Sequence, residues 1–151
     1  MLKRGILLIL VVVVGALGLS LNCSNGTTGE EENQYSIKVW RDGELIATLY
    51  VEDIDALEAS TFTDEEGVTQ EGPSLASVLQ LVGVSDYSSI TFKGMARGRV
   101  ATAEKTLTKA EIEGQTVLLD KSNIGTYKLT GSNISKNDNI IDVNTIAIST
   151  T

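Results

Sequence analysis

The sequence has no histidine, one cysteine and one proline among its 151 residues. The absence of histidine removes the commonest general base and the commonest metal ligand, so any chemistry would depend on carboxylates, lysines, hydroxyl groups and the backbone. No serine lies in a Gly-x-Ser-x-Gly context. A single cysteine forms no internal disulfide and provides no CxxC or Cys/His spacing typical of zinc or iron–sulfur sites. We therefore predict no catalytic residue and no metal site, and Cys23 is either inert or modified.

Positive charge is also scarce, with 12 Lys and Arg against 20 Asp and Glu. Two of the positive residues, Lys3 and Arg4, lie at the start of the chain, and their removal would leave 10 positive residues against 20 negative ones. Such an acidic remainder repels nucleic acid and anionic lipid headgroups. We therefore expect no nucleic-acid partner.

The start of the chain has the layout of a secretory signal. Lys3 and Arg4 precede 17 uncharged residues from Gly5 to Leu21, and Asn22 and Cys23 follow. A cysteine directly after an apolar run resembles the lipobox of bacterial lipoproteins, although those proteins usually have Gly, Ala or Ser where Asn22 stands. The resemblance implies that a diacylglycerol is attached to Cys23 and that the signal is removed before it.

A retained membrane helix is the alternative, because roughly 17 to 25 apolar residues span a bilayer. The stretch after Cys23, "SNGTTGEEENQ", is rich in small and acidic residues and lacks the apolar content needed to fold. We predict a signal peptide over 1–22, an acylated cysteine with a flexible tether over 23–33, and one folded domain over 34–151. The expected location is the extracytoplasmic side of the cell membrane, with the lipid bilayer as a partner through the acyl chains.

The folded part is predicted to consist of short strands with two or three short helices. Alternating residues indicate an opening hairpin over 35–51 with its turn at Asp42–Gly43. The further predicted strands are 60–63, an edge hairpin over 63–72, 88–94, 99–104, 115–120, 125–130 and 140–150. Helices are predicted over 51–59, 74–83 and 108–112. Pro73 suits the first turn of the second helix, and a capping box of Thr108 and Glu111 opens the third. This composition predicts an α+β, mostly β domain with a mixed sheet or sandwich.

The order of these elements resembles the sulfite-oxidase-like molybdopterin-binding domain. The matching positions carry a "G.PL..VL...GV" segment, an "LT..EI" step, a "VLL" strand and a closing "V..I.I" strand. They are Gly72, Pro73, Ser74, Leu75, Val78, Leu79, Gly83, Val84, Leu107, Thr108, Glu111, Ile112, Val117 to Leu119, Val143, Ile146 and Ile148. A strand and a short helix of the "V.EDIDAL" type precede these positions, and the similarity covers most of residues 44–148.

Catalytic members of that family hold molybdenum through a cysteine thiolate upstream of the "G.PL" helix. The corresponding stretch here, "STFTDEEGVTQE", has no cysteine, and hydroxyl or carboxylate groups do not replace a soft thiolate ligand. We therefore expect a non-catalytic, membrane-anchored lipoprotein without a cofactor that binds a ligand or a partner protein. The alternatives are a molybdopterin-dependent oxidoreductase and an accessory subunit of a membrane redox or transport complex.

The segment "FKGMARGRVATAEK" gathers Lys93, Arg97 and Arg99, with Lys105 further on, in an otherwise acidic domain. Guanidinium groups pair with carboxylate or phosphate, and the intervening glycines, 94 and 98, would let backbone N–H groups approach a ligand. We predict ligand binding by Lys93, Arg97 and Arg99. The alternative is a solvated hairpin turn with ordinary surface charges.

Oxygen donors cluster at two further places, in residues 64–66 and 137–142. Either cluster could hold calcium in principle, but neither has the alternating ligand register of a recognised calcium loop. The simpler interpretation of each is a solvated turn. The donors are Asp64, Glu65 and Glu66 in the first cluster and Asn137, Asp138, Asn139 and Asp142 in the second.

Overall fold

The computed structural model describes residues 34–99 and 101–151. The predicted signal peptide (1–22), the predicted tether (23–33) and Cys23 lie outside the described residues. Within the described part, no helix is long and apolar enough to cross a membrane.

The chain enters the fold through the predicted hairpin. Strands β1 (Ser36–Arg41) and β2 (Glu44–Tyr50) pair antiparallel. The turn residues Asp42 and Gly43 both have positive φ, 48° and 87°. Two consecutive residues of this kind form the mirror-image turn that matches the twist of a hairpin, which explains the Asp–Gly sequence.

The main sheet has five strands in the order β2-β1-β9-β5-β6. Its other members are β5 (Ser89–Met95), β6 (Thr102–Thr108) and β9 (Ile141–Ser149). The last strand, β9, pairs parallel with β1 and antiparallel with β5, which makes the sheet mixed. The two ends of the domain therefore meet in the middle of one sheet.

Two short hairpins complete the strands. One consists of β3 (Ala59–Thr63) and β4 (Thr69–Pro73), and the other of β7 (Val117–Lys121) and β8 (Tyr127–Gly131). The strands β4 and β7 lie against each other. A Cβ atom at Gly72 would come within 2.1 Å of the Leu119 carbonyl oxygen, so this contact requires glycine.

Three short α-helices connect the strands in the described part: α1 (Val51–Asp55), α2 (Leu75–Leu81) and α3 (Lys109–Glu113). The predicted capping box of α3 is present, because Thr108 Oγ1 accepts from the Glu111 N–H (3.3 Å) and a Glu111 carboxylate oxygen accepts from the Thr108 N–H (2.7 Å). Pro73 is not in the first turn of α2 as predicted. It ends β4, and Ser74 caps the helix by accepting from the Ser77 N–H.

The core lies under one face of the main sheet. Side chains with at most 1% exposure come from the main sheet, from the β7–β8 hairpin and from two helices; they include Ile37, Ile54, Leu75, Phe92, Leu119, Tyr127, Leu129 and Ile146. The predicted strand over 99–104 is displaced, because its register opposite β5 places β6 at Thr102–Thr108. Nine strands and three short helices in the described residues confirm the predicted α+β, mostly β fold.

Candidate functional site

The three cationic residues that the sequence groups together, Lys93, Arg97 and Arg99, have different partners in the structure. Lys93 lies within β5 and pairs with Glu104 of β6 (Nζ–Oε2 2.8 Å). Arg97, in the turn between these strands, donates to the Asn137 side-chain oxygen (3.3 Å). The prediction that Lys93 and Arg97 bind a ligand stays a prediction, and each side chain already has a polar partner in the fold.

Arg99 pairs with the carboxylate of Asp142 on β9 (Nε–Oδ2 3.4 Å). Lys105 lies in β6, not in a loop, and its ammonium group is 3.6 Å from Asp138. Gly94 is packed against β9, where an added Cβ would meet the Ile141 carbonyl oxygen at 2.5 Å. Arg97, Arg99 and Lys105 therefore contact residues 137–142, at or just before the start of β9, whereas Lys93 pairs within its own hairpin. Gly94 permits close contact with β9, where the sequence predicts contact with a ligand.

Arg99 also lines an open groove of about 490 Å³, which we call the basic groove. Its walls come from the start of β4, from the turn between β7 and β8, from Lys128 on β8 and from Arg99. The side chains that matter for binding are Val68, Gln70, Arg99, Lys121, Ile124 and Lys128.

Every cation of the basic groove has an acidic partner at or beside the groove. Lys121 contacts Asp55, while Lys128 pairs with Asp120 (2.9 Å) and donates to the Gln70 side-chain oxygen (2.8 Å). These partners hold the cationic heads in place without burying them. The exposed fraction of the side chain is 50% for Arg99, 42% for Lys121 and 28% for Lys128.

Apolar side chains accompany these cations. Ile124, at the tip of the turn between β7 and β8, is 59% exposed, and Val68 is 48% exposed. Both line the basic groove. Single exposed apolar residues are ordinary, but two in one groove beside three cations form a mixed surface suited to recognition.

The first oxygen-donor cluster meets Asn137 and Asn139 of the second at another cavity, of about 290 Å³, which we call the amide cavity. Asp138 and Asp142 do not line it. The turn between β3 and β4 supplies one wall, and the connection between β8 and β9 supplies the other. The polar lining includes Asp64, Glu65, Glu66, Lys136, Asn137 and Asn139. The side-chain oxygen of Asn139 is buried and has no hydrogen-bond partner in the described residues.

The charged groups of the amide cavity serve local structure. Asp64 accepts from the Val68 N–H (2.8 Å), the Glu66 N–H (3.0 Å) and the Gln70 amide (2.9 Å). The Val68 hydrogen bond is the largest cause of a lowered Asp64 pKa. Glu66 contacts Lys136 across the cavity. In the residues that the structure describes, no group of three or more acidic, Cys or His residues is arranged to hold a metal ion.

A molybdopterin does not fit this donor set. The "STFTDEEGVTQE" stretch contributes three carboxylates to the amide cavity, and Lys136 is the cation that lines it. A pterin phosphate is an anion, so this lining would repel it, and carboxylate and amide oxygens do not provide the soft ligand that molybdenum takes from a thiolate.

Two tyrosines on neighbouring elements form a polar network that the sequence did not predict. The Tyr127 hydroxyl donates to Asp55 (2.6 Å), and the Tyr127 N–H donates to the Tyr35 hydroxyl (3.1 Å), which in turn contacts the Val143 carbonyl oxygen. Burial raises the pKa of Tyr35 to about 12. Burial, together with the Asp55 carboxylate, also raises the pKa of Tyr127.

The network joins α1 to β8 beside the basic groove, because Asp55 also contacts Lys121 of that groove. Hydrogen bonds from Lys121 first and Tyr127 second lower the pKa of Asp55. The buried hydroxyl of Tyr127 thus helps to position a carboxylate that in turn positions a cation of the groove.

Comparison with protein-family models found no match to this chain. A search among curated proteins found no match either.

Proposed function

We propose that this chain is a lipid-anchored binding protein on the extracytoplasmic side of the cell membrane, with a non-catalytic domain of the sulfite-oxidase-like molybdopterin-binding type. The observation that carries the anchor is the position of Cys23. It is the sole cysteine, it follows an uncharged run from Gly5 to Leu21, and a stretch of small and acidic residues separates it from the folded domain.

The domain supports binding more than catalysis. Three cations and two exposed apolar side chains line the basic groove, while carboxylates such as Asp64 and Glu66 stabilise a turn and an ion pair. The chain has no histidine to act as a base toward its serines. The donor set of the amide cavity also opposes a bound molybdopterin.

Mass spectrometry of the detergent-extracted protein tests the anchor. The expected result is an N-terminal peptide that begins at Cys23 and carries a diacylglycerol, and the Cys23→Ser variant should lose this modification. An uncleaved chain that starts at Met1 would replace the lipid anchor with a retained membrane helix. An unmodified, fully water-soluble chain would overturn the proposed location.

The competing assignment is a molybdopterin-dependent oxidoreductase, because the order of elements in the sequence resembles that of the molybdopterin-binding domain. Elemental analysis for molybdenum and fluorescence of the released pterin separate the two assignments. We expect neither signal in purified protein. One molybdopterin per chain would favour the oxidoreductase. The chain would then act either by itself or as an accessory subunit of a membrane complex.

A further inference from the structure

We propose that Lys128 and Gln70 form an intramolecular isopeptide bond that joins the two short hairpins covalently. The lysine lies on β8 and the glutamine on β4, 58 positions apart in the chain. The bond is a covalent modification of the domain itself, so it goes beyond the proposed binding function and does not depend on it. Its two reactants are in contact in the folded chain, with a carboxylate beside them.

Gln70 supplies the amide that reacts. Its side chain is buried, with 8% exposure, and both heteroatoms of its amide are engaged. Oε1 accepts from the Lys128 ammonium group (2.8 Å), and Nε2 donates to the Asp64 carboxylate (2.9 Å). The cation at the carbonyl oxygen draws electron density away from the amide carbon, and the two hydrogen bonds fix the orientation of the amide.

Lys128 supplies the nucleophile. Among the lysines that the structure describes, it is the one whose ammonium group contacts a side-chain amide. Its Nζ is also 2.9 Å from Oδ2 of Asp120, the residue directly opposite it in the β7–β8 pair. The side chains of Lys128 and Asp120 are 28% and 19% exposed, and no other ion pair of the described residues has both partners so little exposed.

Asp120 is placed to act as the base and then as the acid of the reaction. It takes a proton from the Lys128 ammonium group, and the lone pair left on Nζ forms a bond to Cδ of Gln70. The Cδ–Nε2 bond then breaks as Asp120 returns the proton to Nε2. Nζ loses two of its three protons and the departing Nε2 gains both, so the products are an amide and an ammonium ion. No oxidant, reductant or further reactant is needed.

Contact within the fold makes this intrinsically slow reaction feasible. Groups held together in a reactive geometry reach effective concentrations of about 10⁵ M or more, and a positioned acid or base adds about 10²- to 10⁴-fold. Rotation about the last bonds of the lysine side chain moves Nζ from the carbonyl oxygen to the face of Cδ. The bond forms once in the lifetime of a chain, so a rate of hours or days is sufficient.

The cross-link has a structural consequence for a chain that has a single cysteine and hence no internal disulfide. It ties the β3–β4 hairpin to the β7–β8 hairpin, at the place where β4 and β7 lie against each other. A covalent link restricts the unfolded chain, and the resulting stabilisation grows with the length of the closed loop.

Mass spectrometry tests the bond. We expect the intact detergent-extracted protein to be lighter than its calculated mass by one ammonia, about 17 Da, when freshly purified or after prolonged incubation. Trypsin should release a branched peptide that joins residues 42–93 to residues 122–136, because an acylated Lys128 resists cleavage. This peptide identifies the bond whatever the N-terminus of the chain proves to be, so the result is independent of the proposed anchor.

Conservative variants assign the roles. Lys128→Arg keeps the positive charge beside Asp120 but removes the nucleophile, and Asp120→Asn removes the base, so both should lose the mass deficit and the branched peptide. Lys121→Arg and Asp138→Asn make the same changes at ion pairs without a glutamine amide and should keep both signals. Lys128→Arg should also unfold on the order of 10 °C below Lys121→Arg, because only the former loses the cross-link.

A parent chain that keeps its full calculated mass after incubation, with trypsin cleaving at Lys128, would overturn the proposal. A deficit that persists in Lys128→Arg would also overturn it, since the ammonia would then come from another amide. A branched peptide that persists in Asp120→Asn would exclude Asp120 as the base. Circular dichroism establishes that each variant is folded, so loss of the bond is not mistaken for loss of the fold.

Discussion

Arg99 and Asp142 form an ion pair in which both residues have a left-handed backbone conformation, with φ of 58° and 49°. Only one other non-glycine residue in the described ranges, Asp42, has a positive φ. Residues in this region cost free energy that the surrounding structure must offset, and they concentrate at functional sites. Arg99 holds this conformation in the turn between β5 and β6, and Asp142 holds it at the start of β9.

Two substitutions of Arg99 distinguish the effect of its backbone conformation on stability from the effect of its charge. Arg99→Gly should leave the free energy of unfolding within about 1 kcal/mol of the parent, because relief of backbone strain offsets the lost ion pair and the greater freedom of the unfolded chain. Arg99→Val should destabilise by about 1–2 kcal/mol, since a β-branched residue resists positive φ. Urea denaturation of both variants measures the difference. Equal stabilities would contradict a left-handed turn at this position.

Gly72 should tolerate no side chain. In Gly72→Ala the new Cβ would lie 2.1 Å from the Leu119 carbonyl oxygen and 2.8 Å from its carbonyl carbon, so β4 and β7 must separate. We expect a loss of about 3 kcal/mol, typical of severe overpacking. The control is Gly67→Ala, which meets no atom within 4 Å and should cost only about 1 kcal/mol for its φ of 78°. Thermal unfolding measures the stability of both variants. A smaller loss of stability in Gly72→Ala than in Gly67→Ala would show that the β3–β4 and β7–β8 hairpins are not in contact.

Removal of the Tyr127 hydroxyl should weaken the attachment of α1 to β8. Tyr127→Phe keeps the buried ring but deletes the hydrogen bond to Asp55, so we expect a loss of about 1–2 kcal/mol in chemical denaturation. Tyr87→Phe is the control, because its hydroxyl takes no part in this network. Hydrogen exchange of the α1 amides should rise in Tyr127→Phe alone. Unchanged exchange would show that α1 is held by packing only.

Acid should destabilise the domain below pH of about 4. Hydrogen bonds lower the pKa of Asp55, Asp64 and Glu111 in the folded state, with the largest contributions from Lys121, Val68 and Thr108 respectively. A lowered folded-state pKa stabilises the fold above the unfolded-state value, near 4, and this stabilisation is lost as the pH falls through the folded-state pKa. Urea midpoints over an acid pH series measure the loss. Asp55→Asn should flatten the slope, and an unchanged slope would exclude Asp55 as a contributor.

Alkali should destabilise the domain through its buried tyrosines. The pKa of Tyr35 is raised to about 12 and that of Tyr127 is also raised, so folding favours the neutral phenols. Their contribution is complete below the unfolded-state value of about 10 and is lost as the pH rises through the folded-state pKa. Ultraviolet absorbance should show these two tyrosines ionising together with unfolding. Ionisation of all tyrosines in one early step, before unfolding, would contradict their burial.

Local signals in the sequence predicted the fold well where they fix backbone geometry by themselves. The Asp42–Gly43 turn requires two positive φ angles, and the Thr108–Glu111 capping box closes within one helical turn. Pro73 was misassigned because proline suits both a helix start and a strand end. The start of β6 was misassigned because pairing with β5, not local composition, sets its register.

The candidate site could not be predicted as a unit. Arg99, Lys121 and Val68 belong to three different hairpins, and the sequence contains no periodicity that joins them. Lys93 and Arg97 were grouped with Arg99 because they are close in sequence, but strand alternation and turn geometry direct the three side chains to different partners. The amide cavity, which residues 64–66 share with Asn137 and Asn139, likewise depends on contacts between turns that are distant in sequence.

The walls of the basic groove consist largely of hairpin turns and strand ends, while the strands beneath them carry the buried side chains. Turns at the surface accept substitution and changes of length far more readily than core strands do. Residues of these turns such as Ile124 and Val68 can therefore change without new folding requirements. A library confined to the turns would vary the surface of the groove on an unchanged scaffold.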